Sequence, residues 1–155
     1  MAASWKQLAI VPSAAALAEL REHWGWLLSD QTEVFMASAM GDVFLEGEGS
    51  AIFWLDTGRG KLEMIAQSRE GFMAELRAKA DDWFLAFLVD ELLEAGVVLD
   101  SDQCYGYKLL PVLGGKYEVS NVAPMSAGAW YGFSGYVHEQ IKDLPDGAQV
   151  SLVWE

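Results

Sequence analysis

Apolar residues first recur at helical spacing between Ser13 and Asp30. Leu17, Leu20, Trp24 and Leu27 form one stripe at offsets of three and four. Ser13 precedes an alanine-rich run and is placed to cap a helix there. Gly25 weakens the last turn, and Ser29-Asp30 closes it. The preceding residues, 2–11, are mildly apolar and show no period. From Glu33 the pattern shortens into four apolar-rich runs, 33–37, 42–46, 51–56 and 61–66. Met40-Gly41, Gly47-Glu48-Gly49 and Thr57-Gly58-Arg59-Gly60 separate them. Links this short cannot cross over to a parallel neighbour, so the runs predict an antiparallel meander.

Helical spacing then returns. Ser68 is positioned to cap a helix over 69–79, with Phe72, Met73 and Leu76 inward. Asp81 or Asp82 is positioned to cap a second, continuous helix running to Gly96, whose Leu85, Leu88, Val89 and Leu92 share a face. Gly96 is a stop of the C′ type. An acidic turn, Asp100-Ser101-Asp102, leads into the aromatic stretch Cys104–Leu110. Residues 117–122 alternate like a strand. A mixed aromatic segment at 127–144 has near-helical spacing and ends at Pro145-Asp146-Gly147, and 150–154 suits a last strand. Helix, meander, helices and mixed elements in this order predict one α+β domain over residues 1–155.

Composition adds two constraints. The formal net charge is −13 in 155 residues, which repels phosphate backbones and anionic lipid and attracts basic partners. Nucleic-acid and membrane binding are therefore not expected. The single cysteine, Cys104, excludes an internal disulfide and fits a reducing compartment. Met1 to Pro12 lacks the charged and then apolar pattern of a signal peptide, and no apolar run approaches a membrane span. The expected location is cytoplasmic.

No reactive constellation stands out. His23 and His138 lie in no zinc-binding pattern, so no metal or cofactor is expected. Cys104 with His138 is the one conceivable nucleophilic pair. Leu113-Gly114-Gly115-Lys116-Tyr117 lacks the spacing of a phosphate loop and reads as a bend that a β-carbon would not permit. The carboxylates in turns and at helix starts, Glu46, Glu48, Asp81, Asp82, Asp100 and Asp102, are candidate contacts for a basic partner. Seven Trp are many for so small a core, and Trp130, with Tyr131 and Trp5, is the candidate aromatic anchor.

The stretch from Cys104 to Ile141 carries a more specific pattern. Leu110-Pro111, Gly114-Gly115, Tyr117 and Asn121 are followed by an aromatic helix with Trp130 and His138-Glu139-Gln140. This order resembles the C-terminal domain of type VI secretion immunity proteins, the Tdi-like family, and more loosely reaches back to Gly41-Asp42-Val43-Phe44. The resemblance implies a SUKH-like fold, a twisted and mostly antiparallel sheet packed on helices. It also implies a protein that is not an enzyme and binds a cognate secreted toxin, with a DNase among the family's known targets. A nuclease has a basic active site, which an acidic protein can occupy. The alternatives are a general interaction or regulatory module of the same fold, and a small-molecule-binding protein using an aromatic pocket around Tyr105, Tyr107 and Trp130.

Overall fold

The computed structural model describes residues 3–150. The expected strand over 150–154 falls almost wholly outside the described residues.

The meander forms as its spacing predicts. Strands β2 (Glu33–Ser38), β3 (Val43–Glu46), β4 (Ile52–Asp56) and β5 (Lys61–Ala66) pair antiparallel in sequence order. Residues 2–11, aperiodic in sequence, supply a short helix α1 (Trp5–Leu8) and a two-residue strand β1 (Ala9–Ile10) that covers the edge of β2. Phe35 and Ile65 fall at register shifts, where β2 and β5 bulge against their neighbours. The opposite edge, β5, alternates the exposed Lys61 and Glu63 with the half-buried Leu62 and Ile65.

Helix α2 (Ala14–Trp24) begins where Ser13 Oγ accepts from Ala16 N at 3.1 Å and ends at Gly25. Ser68 Oγ likewise accepts from Gly71 N, at 3.0 Å, to start α3 (Arg69–Glu75). The continuous helix expected from Asp81 to Gly96 is instead two helices, α4 (Ala80–Phe84) and α5 (Ala86–Glu94). They meet at Leu85, whose φ of 49° is left-handed. The break buries Trp83 and Phe84 on one side and Leu88, Val89 and Leu92 on the other. Asp81 does not start a helix there. Its Oδ1 reaches across the break to accept from Phe87 N at 3.1 Å, which satisfies a free donor in the first turn of α5. Gly96 ends α5 as expected: at φ 80° it lets Gly96 N reach Leu93 O and Val97 N reach Leu92 O, the paired bonds of a Schellman cap.

Strand β6 (Gln103–Tyr107) pairs with β7 (Val122–Ser126) in a separate two-stranded ribbon. The strand expected over 117–122 thus lies later, and it contains Pro124. A two-stranded ribbon has a free side on every strand, so a residue without an N–H is tolerated. Helix α6 (Ala127–Ile141) follows, capped by Ser126 Oγ on Ala129 N. It lies so close on α2 that a β-carbon added at Gly135 would stand 2.6 Å from the His23 carbonyl oxygen. The fold class expected from the sequence, α+β with an antiparallel sheet packed on helices, is the one observed.

Its core is aromatic. Phe44 stacks on Phe84 at 5.0 Å and Phe72 on Trp83 at 5.1 Å, with Trp24, Trp130, Tyr105 and Tyr131 fully buried beside them. Each such side chain removes a large apolar area from water, on the order of 150–250 Å².

Candidate functional site

The turn between β2 and β3 places a carboxyl group under the sheet. Gly41, at φ 88°, packs so tightly that a β-carbon there would lie 2.4 Å from Trp130 Nε1. The next residue, Asp42, is buried. Its Oδ2 accepts from Trp54 Nε1 at 3.0 Å, and its Oδ1 accepts from Thr57 N at 2.9 Å. Thr57 Oγ1 lies 2.9 Å from Asp42 Oδ1 and 3.0 Å from Gly41 O, and accepts from Trp130 Nε1 at 3.0 Å. One hydroxyl proton cannot serve both Gly41 O and Asp42 Oδ1. A protonated Asp42 resolves the competition by donating to Thr57 Oγ1 while Thr57 donates to Gly41 O. Burial, with the nearby charge of Asp56, pushes the Asp42 carboxyl up to about 8, in agreement with that bond pattern.

Thr57 opens the β4–β5 hairpin. Asp56 Oδ1 accepts from the N–H groups of Gly58 and Arg59, and Asp56 Oδ2 pairs with Arg59 Nε at 2.6 Å. The Arg59 guanidinium also lies 5.9 Å from the Trp54 ring centre, and its bond to Asp56 holds it charged more firmly than usual. Behind the hairpin, His138 Nε2 lies 2.8 Å from Thr57 O, and its ring fills the space beside Gly60. Burial lowers the His138 pKa and so favours the neutral ring.

These groups line a cleft of about 440 Å³. One wall comes from the sheet: Asp42, Trp54, Asp56, Arg59 and Glu63. The facing wall comes from α4, the Leu85 break and the two aromatic residues Tyr107 and Tyr117, and includes Lys79, Asp81, Asp82, Trp83 and Phe87. Tyr107 and Tyr117 meet edge to face at 5.8 Å. Burial raises both phenols, Tyr107 the more strongly, so both keep their protons at neutral pH.

Of the candidate contacts, the fold gathers only Asp81 and Asp82 here. Asp82 stands 3.8 Å from Lys79, in an exposed pair. Asp100 and Asp102 sit beside a different hollow, of about 360 Å³, with Lys6, Val98 and Gln103. Asp102 is committed to the fold: both its oxygens accept from Ser13, one from the N–H and one from the hydroxyl, each at 2.8 Å. Glu46 pairs with Arg69 at 2.9 Å, and Glu48 stands exposed in a turn. Trp130 is not a surface anchor. It is fully buried, because its indole N–H is drawn in to Thr57 and its ring packs against Gly41. Tyr131 is buried too, while Trp5 is partly exposed against Phe84.

Sequence reasoning missed Asp42, Asp56, Tyr117 and the indole of Trp54 as site groups, and named Tyr107 only in the alternative of an aromatic small-molecule pocket. The five come from four separate segments, and a further available signal was Asp42 beside a turn glycine. Nucleophilic chemistry is not assembled. Cys104 is buried and its thiol is pushed up by burial, the reverse of an activated thiolate, and His138 faces a backbone carbonyl. Among the described residues, Glu19, Glu22 and His23 on successive turns of α2 are the one group spaced to hold a metal ion, and they are partly exposed. No helix of the described residues is long and apolar enough to cross a membrane.

The fold recurs elsewhere. The crystal structure of Atu4351 from Agrobacterium tumefaciens superposes with a TM-score of 0.55 over 87% of this chain and 70% of that one, at 19% identity, a likeness of fold. No curated protein matches the chain by sequence. A family model described as T6SS immunity protein Tdi1, C-terminal, matches residues 66–138, from the end of β5 into α6. This span carries the Pro111 to Asn121 bend and the far wall of the cleft, while Gly41 to Phe44, Glu139 and Gln140 fall outside it. Over residues 66–138 the chain is thus similar to the C-terminal domain of the T6SS immunity protein Tdi1.

Proposed function

We propose that this protein is a non-catalytic immunity protein that binds and neutralises a cognate secreted toxin in the cytoplasm of the cell that makes it. The family match over residues 66–138 carries this reading. The net charge of −13 favours a basic toxin, of which a nuclease is the type best suited to an acidic inhibitor. The cleft between sheet and α4 is the docking face we assign, because it concentrates carboxyl groups among large aromatic rings, the side chains that dominate binding energy at protein interfaces.

Co-expression with toxins encoded in the same genome tests the proposal. One toxin should arrest growth alone and be tolerated with this protein, and the two should co-purify. Absence of rescue by every such toxin refutes it.

A further inference from the structure

The cleft holds more specific information than its acidity. Its lining includes five acidic side chains, Asp42, Asp56, Glu63, Asp81 and Asp82, against two basic ones, Arg59 and Lys79. Asp56 is ion-paired with Arg59 and Asp82 with Lys79, which leaves Asp42, Glu63 and Asp81 outside any ion pair among the described residues, with Glu63 near enough for its charge to act on Arg59. The decisive group is Tyr107. Its side chain is 4% exposed and lines the cleft, yet its hydroxyl makes no hydrogen bond among the described residues. The ring is buried while the hydroxyl oxygen, unlike that of Tyr131, is not sealed, which leaves it able to bond a group in the cleft. A ligand entering the cleft would supply that group.

The sheet wall already shows how a guanidinium is held. Arg59 lies against Trp54 while Asp56 takes its Nε–H. The facing wall offers similar ingredients: the Tyr117 and Trp83 rings, the second oxygen of the Asp81 carboxylate, and Tyr107 as an acceptor. A planar, weakly hydrated cation with several N–H donors fits rings and carboxylates together better than an ammonium does. We propose that the cleft is a socket for a guanidinium group, carried by an arginine side chain of the toxin. This rests on the immunity reading for the identity of the partner, but the socket itself can be tested alone.

The probe is N-acetyl-arginine amide, titrated into the full chain while the Trp54 indole N–H signal is followed by NMR. The signal should shift saturably. The neutral analogue N-acetyl-citrulline amide should leave it in place, and N-acetyl-lysine amide should bind several-fold more weakly. Tyr107→Phe removes one hydrogen bond to a charged group and should weaken capped arginine about tenfold. Glu63→Gln, at an exposed position on β5, should weaken it by about threefold without touching the core. No saturable shift in the wild type, or unchanged affinity in both variants, overturns the socket. Free arginine binding tenfold tighter than the capped form would assign the cleft to a small molecule and overturn the protein side chain. Growth rescue separates the two proposals. Equal protection by wild type and Tyr107→Phe removes the socket and leaves the immunity reading standing. Capped-arginine binding without rescue by any toxin removes the immunity reading and, with it, the toxin as the source of the arginine.

Discussion

The bend at Gly114-Gly115 and the cleft nearby treat polar groups in opposite ways. In the bend nearly every group is spent. Asn121 Oδ1 accepts from Leu109 N, and its Nδ2 donates to Leu109 O and Lys116 O, each at 2.9 Å. Gly115 N closes on Leu110 O, and Lys108 N on Asn121 O. In the cleft, at the end of β6 two residues before Leu109, the Tyr107 hydroxyl makes no hydrogen bond among the described residues and Asp42 is buried at the cost of its usual ionisation. Saturated hydrogen bonding marks a segment that fixes the fold. Unspent capacity at a concave surface marks one that awaits a ligand. Within the span that resembles a known family, the bend therefore acts mainly as scaffold, while Tyr107, Tyr117 and the residues of α4 face the cleft.

The largest test strikes the bend. A β-carbon at Gly115 would stand 1.8 Å from Leu109 O, a backbone atom that cannot swing away. Gly115→Ala should cost about 3 kcal/mol or more, read as a lowered urea midpoint. Asn121→Ala removes three hydrogen bonds at a partly exposed site and should cost about 2 kcal/mol. If either proves neutral, saturation is not what holds this segment.

Much of the scaffold was legible in sequence. The turn glycines and alternation located the meander, and Ser13, Ser68 and Gly96 each do the capping their positions suggested. Leu85 was not legible, since nothing in a leucine announces a left-handed backbone; the packing of Trp83 and Phe84 against the core imposes it. Residues 117–122 alternate like a strand, but Asn121 holds them in the bend and the pairing passes to Val122–Ser126. The cleft was illegible because contributions from the β2–β3 turn, the β4–β5 hairpin, α4, β6 and Tyr117 converge only in three dimensions. Seven tryptophans suggest a surplus for the surface, but Trp130 is not part of one. The core takes it up through the indole bond to Thr57.

The pH test bears on the cleft. Asp42 has a folded pKa near 8 against an ordinary 3.8, so the folded state keeps a proton that the unfolded chain releases. Its contribution to stability is complete below 3.8 and is lost as pH rises through about 8. The advantage of wild type over Asp42→Asn in urea unfolding should therefore shrink steadily from about pH 4 to about pH 8 and then level off. A constant difference would place an ionised Asp42 in the fold.

The smallest effects compare two phenols. Tyr131 carries a sealed hydroxyl with no partner among the described residues. Tyr131→Phe should hold or raise stability, by about 1 kcal/mol at most, because an unpaired buried hydroxyl is removed. Tyr107→Phe should change stability by less than about 0.5 kcal/mol while weakening capped arginine, since its hydroxyl faces the cleft. A large loss of stability in Tyr107→Phe would show that this hydroxyl, too, is structural.

The two margins of the five-stranded sheet have a consequence for the protein in a crowded cell. An open sheet invites a foreign strand to add to it, and the hazard grows with the length and flatness of the free edge. Here one margin is closed by the two residues of β1, too short a template to recruit a strand, and the other is bent by the Ile65 bulge and studded with Lys61 and Glu63. The protein can thus be made in quantity without its sheet becoming a seed for aggregation.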